Sequence, residues 1–317
     1  MSVLDVLIRR RVIEADGIVM LELVSATGEP LPPFEAGAHI DVHVGPDLIR
    51  QYSLCNDPAE TQCYRLGVLL DPQSRGGSAA VHATFLEGQS VRIGVPRNNF
   101  PLAEGARKSI LVAGGIGVTP LLAMAYRLTA AGADFELHYC SRSESRTAFR
   151  SLLAEAPFAD RVVYHFDDGA PEQRFSPDAV LGSADADTHL YICGPSGFMD
   201  YVRNAAEARG WPSANIHLEH FGAAVEVGGD SFQVRAEQSG VTVTVGKDET
   251  IAQALDKAGV DILTSCEQGV CGACLTRVLE GEPDHRDAYQ TAEEKAANSH
   301  VTICCSRSKS PLLVLDV

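Results

Sequence analysis

From residue 1 to about 103, apolar side chains alternate with polar ones in short runs, among them HIDVHV, RQYSL, CYRLGVLL and QSVRIGVP, with Pro and Gly clusters between them. Alternation of this kind marks half-buried strands, so residues 1–103 predict a small antiparallel β-barrel. From Lys108 the pattern changes: SILVAGG is an apolar run, TPLLAMAYRLTAAG has apolar positions at helical spacing, and FELHYCSR, RVVYHF and THLYIC follow as further strands. Strands that alternate with helices predict a central α/β domain with a parallel sheet covered by helices. Near Val227 the stretch VGGDS reads as a linker. Beyond it, FQVRAEQSG and VTVTVG predict a hairpin, and ETIAQALDKAG a helix closed by glycine. The expected domains are therefore 1–103, 104–226 and 227–317.

A chain of 317 residues with 45% hydrophobic and 21% charged residues is globular rather than disordered, and long enough for two or three separate cores. Lys and Arg number 26 against 42 Asp and Glu, a formal charge of −16 that argues against broad binding to a nucleic-acid backbone. The excess is −10 over residues 1–226 and −6 over residues 227–317, so no basic arm or tail stands out. Ile110 to Tyr126 carries no charge, but Gly114, Gly115, Gly117 and Pro120 break it into strand, loop and helix start, and no membrane span is expected. Arg9, Arg10 and Arg11 follow a short apolar stretch, the reverse of a secretory signal, so the expected address is cytoplasmic.

In a reducing compartment, cysteine clusters more often hold metal or do redox work than form disulfides. Of nine cysteines, Cys55, Cys63, Cys140 and Cys193 are scattered, and the other five crowd the last segment. Cys266, Cys271 and Cys274 form C-x4-C-x2-C, with Cys304 further on, the spacing of plant-type [2Fe–2S] ligation. Two irons bridged by two sulfides need four thiolates, and one loop wrapped round the cluster supplies three of them. Gly269 and Gly272 relieve crowding in such a loop and leave N–H groups free to point at sulfur. Structural zinc is the competing reading, but it usually takes paired C-x2-4-C knuckles. Adjacent residues on a strand point to opposite faces, so Cys304 is assigned as the fourth ligand, and exchange with Cys305 stays open.

SILVA runs into Gly114, Gly115, Ile116, Gly117, Val118, Thr119 and Pro120, where Thr119 reads as a helix N-cap and Pro120 as the first helical residue. A helix start of this kind holds a pyrophosphate through free N–H groups and the positive end of the dipole; many Gly turns do no more than join strand to helix. Cys193, Gly194 and Pro195 end THLYIC and add a second turn at the same carboxyl edge, where open α/β sheets bind ligands. In the barrel, Arg50-Gln51-Tyr52-Ser53 and Arg75-Gly76-Gly77-Ser78 each read two ways. Arg50 is a solvated strand end or a charge for phosphate, and Tyr52 a core ring or a flat face for another ring. Ser53 offers a hydrogen bond, and Gly76 to Ser78 form a plain turn or a set of backbone donors.

Taken in order, RQYSL, SRGGS, PRNNFPL, GGIGVTP, YICGPSGFM, EHFGA, CEQGVCGAC and CCSRS resemble the phthalate dioxygenase reductase family, which includes vanillate demethylase reductase-like proteins, within the ferredoxin–NADP reductase superfamily. The likeness covers nearly the whole chain. It implies an N-terminal flavin barrel, a central nicotinamide-nucleotide domain and a C-terminal α+β plant-type ferredoxin domain. It makes Arg50, Tyr52, Ser53, Gly76, Gly77 and Ser78 flavin contacts, with FMN favoured over FAD, and puts Thr119 and Cys193 near the nicotinamide. Phe221 would cover the flavin ring and yield to the nicotinamide, against the plainer reading of a core Phe. Cys305 departs from the family pattern, which has an apolar residue there.

Arg142 and Arg146, after the second central strand, can pair with a 2′-phosphate or start a solvated helix. Asp167 and Asp168, after the third, can accept from ribose hydroxyls and repel that phosphate. With the resemblance, NADH is the expected donor. His39, His43 and His138 sit in strand patterns as structural histidines, His220 has no assigned role, and Ser141, Ser143 and Ser145 lack a nucleophile-elbow context. Nicotinamide gives up two electrons as hydride and a [2Fe–2S] cluster takes one at a time, so a flavin must stand between them. The expected activity is that of an NADH-dependent oxidoreductase passing electrons from NADH to FMN to the cluster. By resemblance the acceptor is the terminal Rieske oxygenase of an aromatic dioxygenase or O-demethylase system, and the reductase is a monomer. A reductase for another monooxygenase acceptor, or a non-catalytic iron–sulfur redox sensor, are the competing readings.

Overall fold

The structure, a computed structural model, describes residues 3–45, 48–72, 76–183, 185–221, 228–264 and 266–317. They fall into two compact units, Met1–Glu219 and His220–Val317. Arg75, the boundary drawn at 226/227 and the start of the VGGDS linker lie outside the described residues.

The first unit begins with strands β1 (Val3–Ala15), β2 (Ile18–Ser25), β3 (Ala38–Gly45), β4 (Leu48–Ser53) and β5 (Tyr64–Leu69), helix α1 (Gly77–Thr84), and strands β6 (Ser90–Gly94) and β7 (Arg97–Asn98). The strands pair in the order β4-β3-β6-β1-β2-β5, with β7 on β3, and every pairing is antiparallel. A bridge between Leu54 and Leu66 joins the two ends, so the sheet closes into the expected barrel. The α1 helix was not expected, because GSAAVHAT carries no apolar stripe; Val81 is its one buried large side chain.

The chain continues through β8 (Lys108–Gly114), α2 (Val118–Ala130), β9 (Asp134–Ser141), α3 (Arg150–Glu155), β10 (Val162–Phe166), α4 (Pro177–Val180), β11 (Thr188–Cys193), α5 (Ser196–Ala208) and β12 (Ile216–Glu219). These strands form a wholly parallel sheet in the order β10-β9-β8-β11-β12. Along β8 the side chains alternate: Leu111 and Ala113 join the core beneath α2, while Ile110 and Val112 join Met199, Val202 and Ala206 of α5. The two helices therefore cover opposite faces.

One apolar core runs without a break from Ile40, Tyr64 and Phe100 of the barrel region to Leu111, Leu122 and Tyr191 of the parallel sheet. Each such side chain contributes about 1.5 to 3 kcal/mol on burial, which is why barrel and sheet form one unit. Gly67 on β5 permits the contact, since a Cβ there would stand 2.8 Å from both Thr119 Cγ2 and Phe149 Cζ. Ala103 N–H donates to Tyr191 Oη at 2.7 Å, and Phe149 N–H to Glu14 Oε2 at 3.1 Å.

The second unit holds β13 (Phe232–Ala236), β14 (Val241–Val245), α6 (Ile251–Lys257), β15 (Leu275–Glu280), β16 (Pro283–Asp284), α7 (Ala292–Ala297), β17 (His300–Thr302), β18 (Arg307–Ser308) and β19 (Leu312–Leu315). The main sheet is mixed, in the order β14-β13-β19-β15-β17, and β16 pairs with β18. β13 and β14 form the expected hairpin, from Phe232 opposite Val245 to Ala236 opposite Val241. Thr250 and Gln253 close a capping box at the start of α6. The buried Ile251, Ala254 and Leu255 of this helix meet Val234, Val301 and Ile303 in a core of their own. Among the described residues no helix is long and apolar enough to cross a membrane.

Candidate functional site

At the carboxyl edge of the parallel sheet, the loops after β8 and β11 lie side by side at the point where the strand order reverses, the position where such sheets bind ligands. They touch backbone to backbone: a Cβ on Gly117 would stand 2.2 Å from the Cys193 carbonyl oxygen, and one on Gly194 would stand 2.9 Å from Gly114 Cα. Gly115 faces open space, and Pro195 leads into α5, whose first turn has no acidic side chain. Thr119 is not the helix cap expected from sequence. A turn of 3-10 helix over Gly115–Gly117 starts the helical path early, so Gly117 takes the capping position and Thr119 falls inside α2. Its hydroxyl donates back to Ile116 O at 3.0 Å and is buried.

Ser53 ends β4 on the barrel, and its Oγ donates to Glu219 Oε2 at 3.5 Å. Glu219 ends β12 directly beside Cys193 of β11, so Ser53, Cys193 and Glu219 meet where the barrel joins the parallel sheet. Burial pushes the Glu219 carboxyl up to about 8, against the opposing pull of the Ser53 hydroxyl. Burial, helped by Glu219, also raises the Cys193 thiol well above its ordinary value.

On the barrel, Gly76 takes a left-handed conformation (φ 91°) and α1 starts at Gly77, with no acidic residue in its first turn. The first helical bond runs from Ala80 N–H to Gly76 O, so the N–H groups of Gly77, Ser78 and Ala79 have no carbonyl to meet within the helix. Arg50 lies against this turn, since a Cβ on Gly77 would be 2.5 Å from its Nε and 2.6 Å from its Cγ. Ser78 Oγ accepts from Asp71 N–H at 3.1 Å. Half-buried Tyr52, two residues beyond Arg50 on β4, has its hydroxyl pushed up to about 12 by burial. At the far side of the parallel sheet, Asp168 N–H donates to Arg142 O at 3.2 Å, and the side chains of Arg142, Asp167 and Asp168 are all exposed.

In the second unit, the loop from Cys266 to Cys274 connects α6 to β15. Cys266, Cys271, Cys274 and Cys304 are all buried. The Cys266 thiol interacts with those of Cys271 and Cys304, and the Cys304 thiol with those of Cys274 and Cys305, so the sulfurs lie close to one another. Cys266 Sγ accepts from Gln268 N–H at 3.3 Å and Cys271 Sγ from Ala273 N–H at 3.4 Å. Glu267, Gly269 and Gly272 all have positive φ, which aims these N–H groups at sulfur. The adjacent cysteines are not on a strand, as the sequence argument supposed. Ile303, Cys304 and Cys305 form a turn between β17 and β18 closed by Ser306 N–H to Thr302 O at 3.0 Å, and Cys305 Sγ turns to Thr302 Oγ1 at 3.3 Å. Among the described residues no group of three or more His, Cys, Asp or Glu is placed to hold a single metal ion. Phe221 also belongs to the second unit and is 43% exposed, which is not the burial of a core Phe.

Residues 234–309 match the 2Fe-2S iron-sulfur cluster binding domain, and residues 111–204 match the oxidoreductase NAD-binding domain. The sequence is 51% identical to vanillate O-demethylase oxidoreductase of Pseudomonas sp. (strain HR199 / DSM 7063), over 99% of this chain and 100% of that protein. Phthalate dioxygenase reductase, solved as a modular structure for electron transfer from pyridine nucleotides to [2Fe-2S], superposes with a TM-score of 0.78 at 39% identity, over 100% of this chain and 98% of that one. The chain belongs to the phthalate dioxygenase reductase family. The likeness extends to an intact type IV self-sufficient cytochrome P450 monooxygenase, at 38% identity and a TM-score of 0.87, where this chain spans 41% of the other.

As a phthalate dioxygenase reductase family member, the protein is an oxidoreductase that joins a nicotinamide-nucleotide domain to a [2Fe–2S] domain in one chain and serves a multicomponent oxygenase system. Its barrel, parallel sheet and ferredoxin-type unit are those expected from sequence. Glu219 is the residue that sequence reasoning passed over: it opens the EHFGA segment, but attention there went to Phe221, and a single acidic residue at a strand end names no chemistry by itself. Its signal was positional, since the strand ending at Glu219 is the one that pairs with THLYIC.

Proposed function

We propose that the protein is an NADH-dependent reductase that passes electrons through FMN and a [2Fe–2S] cluster to a Rieske-type terminal oxygenase acting in aromatic dioxygenation or O-demethylation. The observation that carries this reading is the meeting of Ser53, Cys193 and Glu219, with Thr119 against Gly67, at the junction of barrel and parallel sheet. A nucleotide held on the sheet and a flavin held on the barrel would face one another there.

The residues fit the groups. Arg50 and the first-turn N–H groups of α1 at Gly77 and Ser78 make a cradle for a single phosphate, which favours FMN, and Tyr52 offers its ring beside them. Gly114, Gly115, Gly117, Gly194 and Pro195 keep side chains out of the crevice, so that a pyrophosphate meets backbone. Asp167 and Asp168 favour ribose hydroxyls and disfavour a 2′-phosphate, which supports NADH, while Arg142 stands beside them. Cys266, Cys271, Cys274 and Cys304 hold the cluster, with the Gln268 and Ala273 N–H groups on sulfur raising its potential. When bound, FMN supplies the conversion from hydride to single-electron transfer. Ser53 and Thr119 position the reacting rings, and neutral Glu219 accepts from the Ser53 hydroxyl at Oε2. None of the nine cysteines is joined in a disulfide, which supports a reducing cytoplasmic setting. The net charge of −16 supports a protein partner over nucleic acid. The protein works as a monomer.

The test is anaerobic mixing of the purified reductase with NADH or NADPH, followed by addition of candidate Rieske oxygenases with product detection. The expected result is NADH consumption coupled to oxygenase product, with NADPH at least tenfold less effective. Flavin reduction without electron delivery to any such oxygenase would contradict the assignment.

A further inference from the structure

The connection from β16 to α7 runs along the cysteine loop and meets it at both of its glycines. A Cβ on Gly269 would stand 3.0 Å from Asp287 Cα, and one on Gly272 would stand 2.3 Å from Tyr289 Cζ and 2.6 Å from its Cε1 and Cε2. Ala288 N–H donates to Gly269 O at 3.0 Å. The three atoms nearest to Gly272 are ring carbons and not the phenol oxygen, so Tyr289 presents a ring face to it rather than its tip. Gly272 has φ 71° and stands between Cys271 and Ala273, whose N–H donates to Cys271 Sγ at 3.4 Å. The ring therefore lies on the residue that leads into this N–H to sulfur bond.

The connection itself holds the ring in place. Asp287, 5% exposed, accepts at Oδ2 from Tyr289 N–H at 3.1 Å and from Gln290 N–H at 2.7 Å, which closes a turn around the aromatic residue. Lys295 Nζ of α7 donates to Asp287 O, and Gln290 Nε2 donates to His300 O of β17 at 3.3 Å. Tyr289 is nevertheless 39% exposed and belongs to none of the apolar cores of the described residues, so core packing does not account for its place on the loop.

We propose that Tyr289 is a positioning residue that acts on the cluster through Gly272: on the reading that Cys266, Cys271, Cys274 and Cys304 hold a [2Fe–2S] cluster, its ring keeps water off the Gly272 side of the loop and so holds the cluster's reduction potential down. Reduction brings one electron, and with it one negative charge, to the site. Water stabilises added charge, and solvent exposure is one of the factors that set the potential of such clusters. A loop covered by a ring still offers its backbone N–H groups but less water. Removing the ring admits water and makes the cluster easier to reduce.

The test is a redox titration of the holoenzyme, followed by the EPR signal of the reduced cluster, in the parent and in Tyr289→Ala, Tyr289→Leu and the conservative Tyr289→Phe. Tyr289→Ala should favour reduction at least threefold, an upward shift of about 28 mV at 59 mV per tenfold for one electron. Tyr289→Phe, which keeps the ring, should match the parent, and Tyr289→Leu, a narrower cover, should fall between the two. Amide hydrogen exchange over residues 271–274 should quicken in Tyr289→Ala and stay at the parent rate in Tyr289→Phe, with iron content unchanged in both. If Tyr289→Ala loses iron, the shift in Tyr289→Leu decides: an upward one supports the proposal and an unchanged potential overturns it. An unchanged or lowered potential in Tyr289→Ala, a shift of equal size in Tyr289→Phe, or loss of iron from both Tyr289→Ala and Tyr289→Leu would each overturn it. A reduced parent protein with no [2Fe–2S] EPR signal would instead refute the cluster reading on which the proposal rests.

Discussion

Gly77→Ala pits helix stability against the phosphate cradle. An alanine at the start of α1 favours the helix by up to about 1 kcal/mol over glycine, so the protein should fold at least as well. The cost falls on Arg50, because the new Cβ would stand 2.5 Å from Nε and 2.6 Å from Cγ, and the long side chain must swing away. Displacing the guanidinium removes one charge-assisted hydrogen bond to a bound phosphate, worth about 1.5 to 3 kcal/mol, or roughly 10- to 150-fold in flavin affinity. Quenching of FMN fluorescence on titration into deflavinated protein gives Kd, and a thermal melt of the same material reports folding. The expected outcome is a weaker Kd with an equal or higher Tm. Because the substitution acts through Arg50, it should add less than about 0.5 kcal/mol in an Arg50→Ala background. An unchanged Kd, or a full additional loss in that background, would refute the cradle.

Cys304→Ser should abolish the cluster's visible absorbance and iron content, whereas Cys305→Ser should retain both; equal loss in the two would show that the turn at 303–305 allows exchange. His165 and His217 are each held down to about 4, by burial first and then by the neighbouring His138 and His189. The folded form thus favours neutral rings, so stability is full above about pH 6.5 and falls as pH drops toward 4 while the unfolded chain takes up protons, by about 2 to 3 kcal/mol for each pair. Denaturant unfolding at pH 7 and at pH 4.5 measures this, and equal stabilities at the two would contradict it. The Glu219 carboxyl, held up to about 8, is neutral at pH 7 and ionises as pH rises through 8. The flavin-reduction rate should therefore show an inflection near pH 8 that Glu219→Gln removes, and a profile shared by both proteins would release Glu219 from any role at the junction.

The order of barrel, α/β sheet and ferredoxin-type unit was legible because the hydrophobic period changes at Lys108 and again past Val227, and the cysteine loop because its chemistry is written in a spacing of nine residues, Cys266 to Cys274. Features set by contact between distant segments were not. Nothing local marks Gly67 as the place where a barrel strand admits Thr119 and Phe149, yet that approach merges barrel and sheet into one core. The 3-10 turn at Gly115–Gly117 moved Thr119 from the cap to the helix interior, a shift of two residues that capping preferences cannot resolve. Cys304 and Cys305 follow a three-residue strand, too short for alternation to reach them. Glu219 stayed hidden because its importance comes from Ser53, 166 residues away.

The central claim is that electrons from NADH arrive at the four-cysteine site in this chain. The most direct measurement is anaerobic titration of the FMN- and cluster-loaded protein with NADH, followed by optical absorbance and low-temperature EPR on the same samples. The account predicts that flavin and cluster absorbance bleach together and that the EPR signal of a reduced [2Fe–2S] centre grows in Cys305→Ser as in the parent, and is absent from Cys304→Ser. Bleaching confined to the flavin, with no cluster signal at excess NADH, would contradict it.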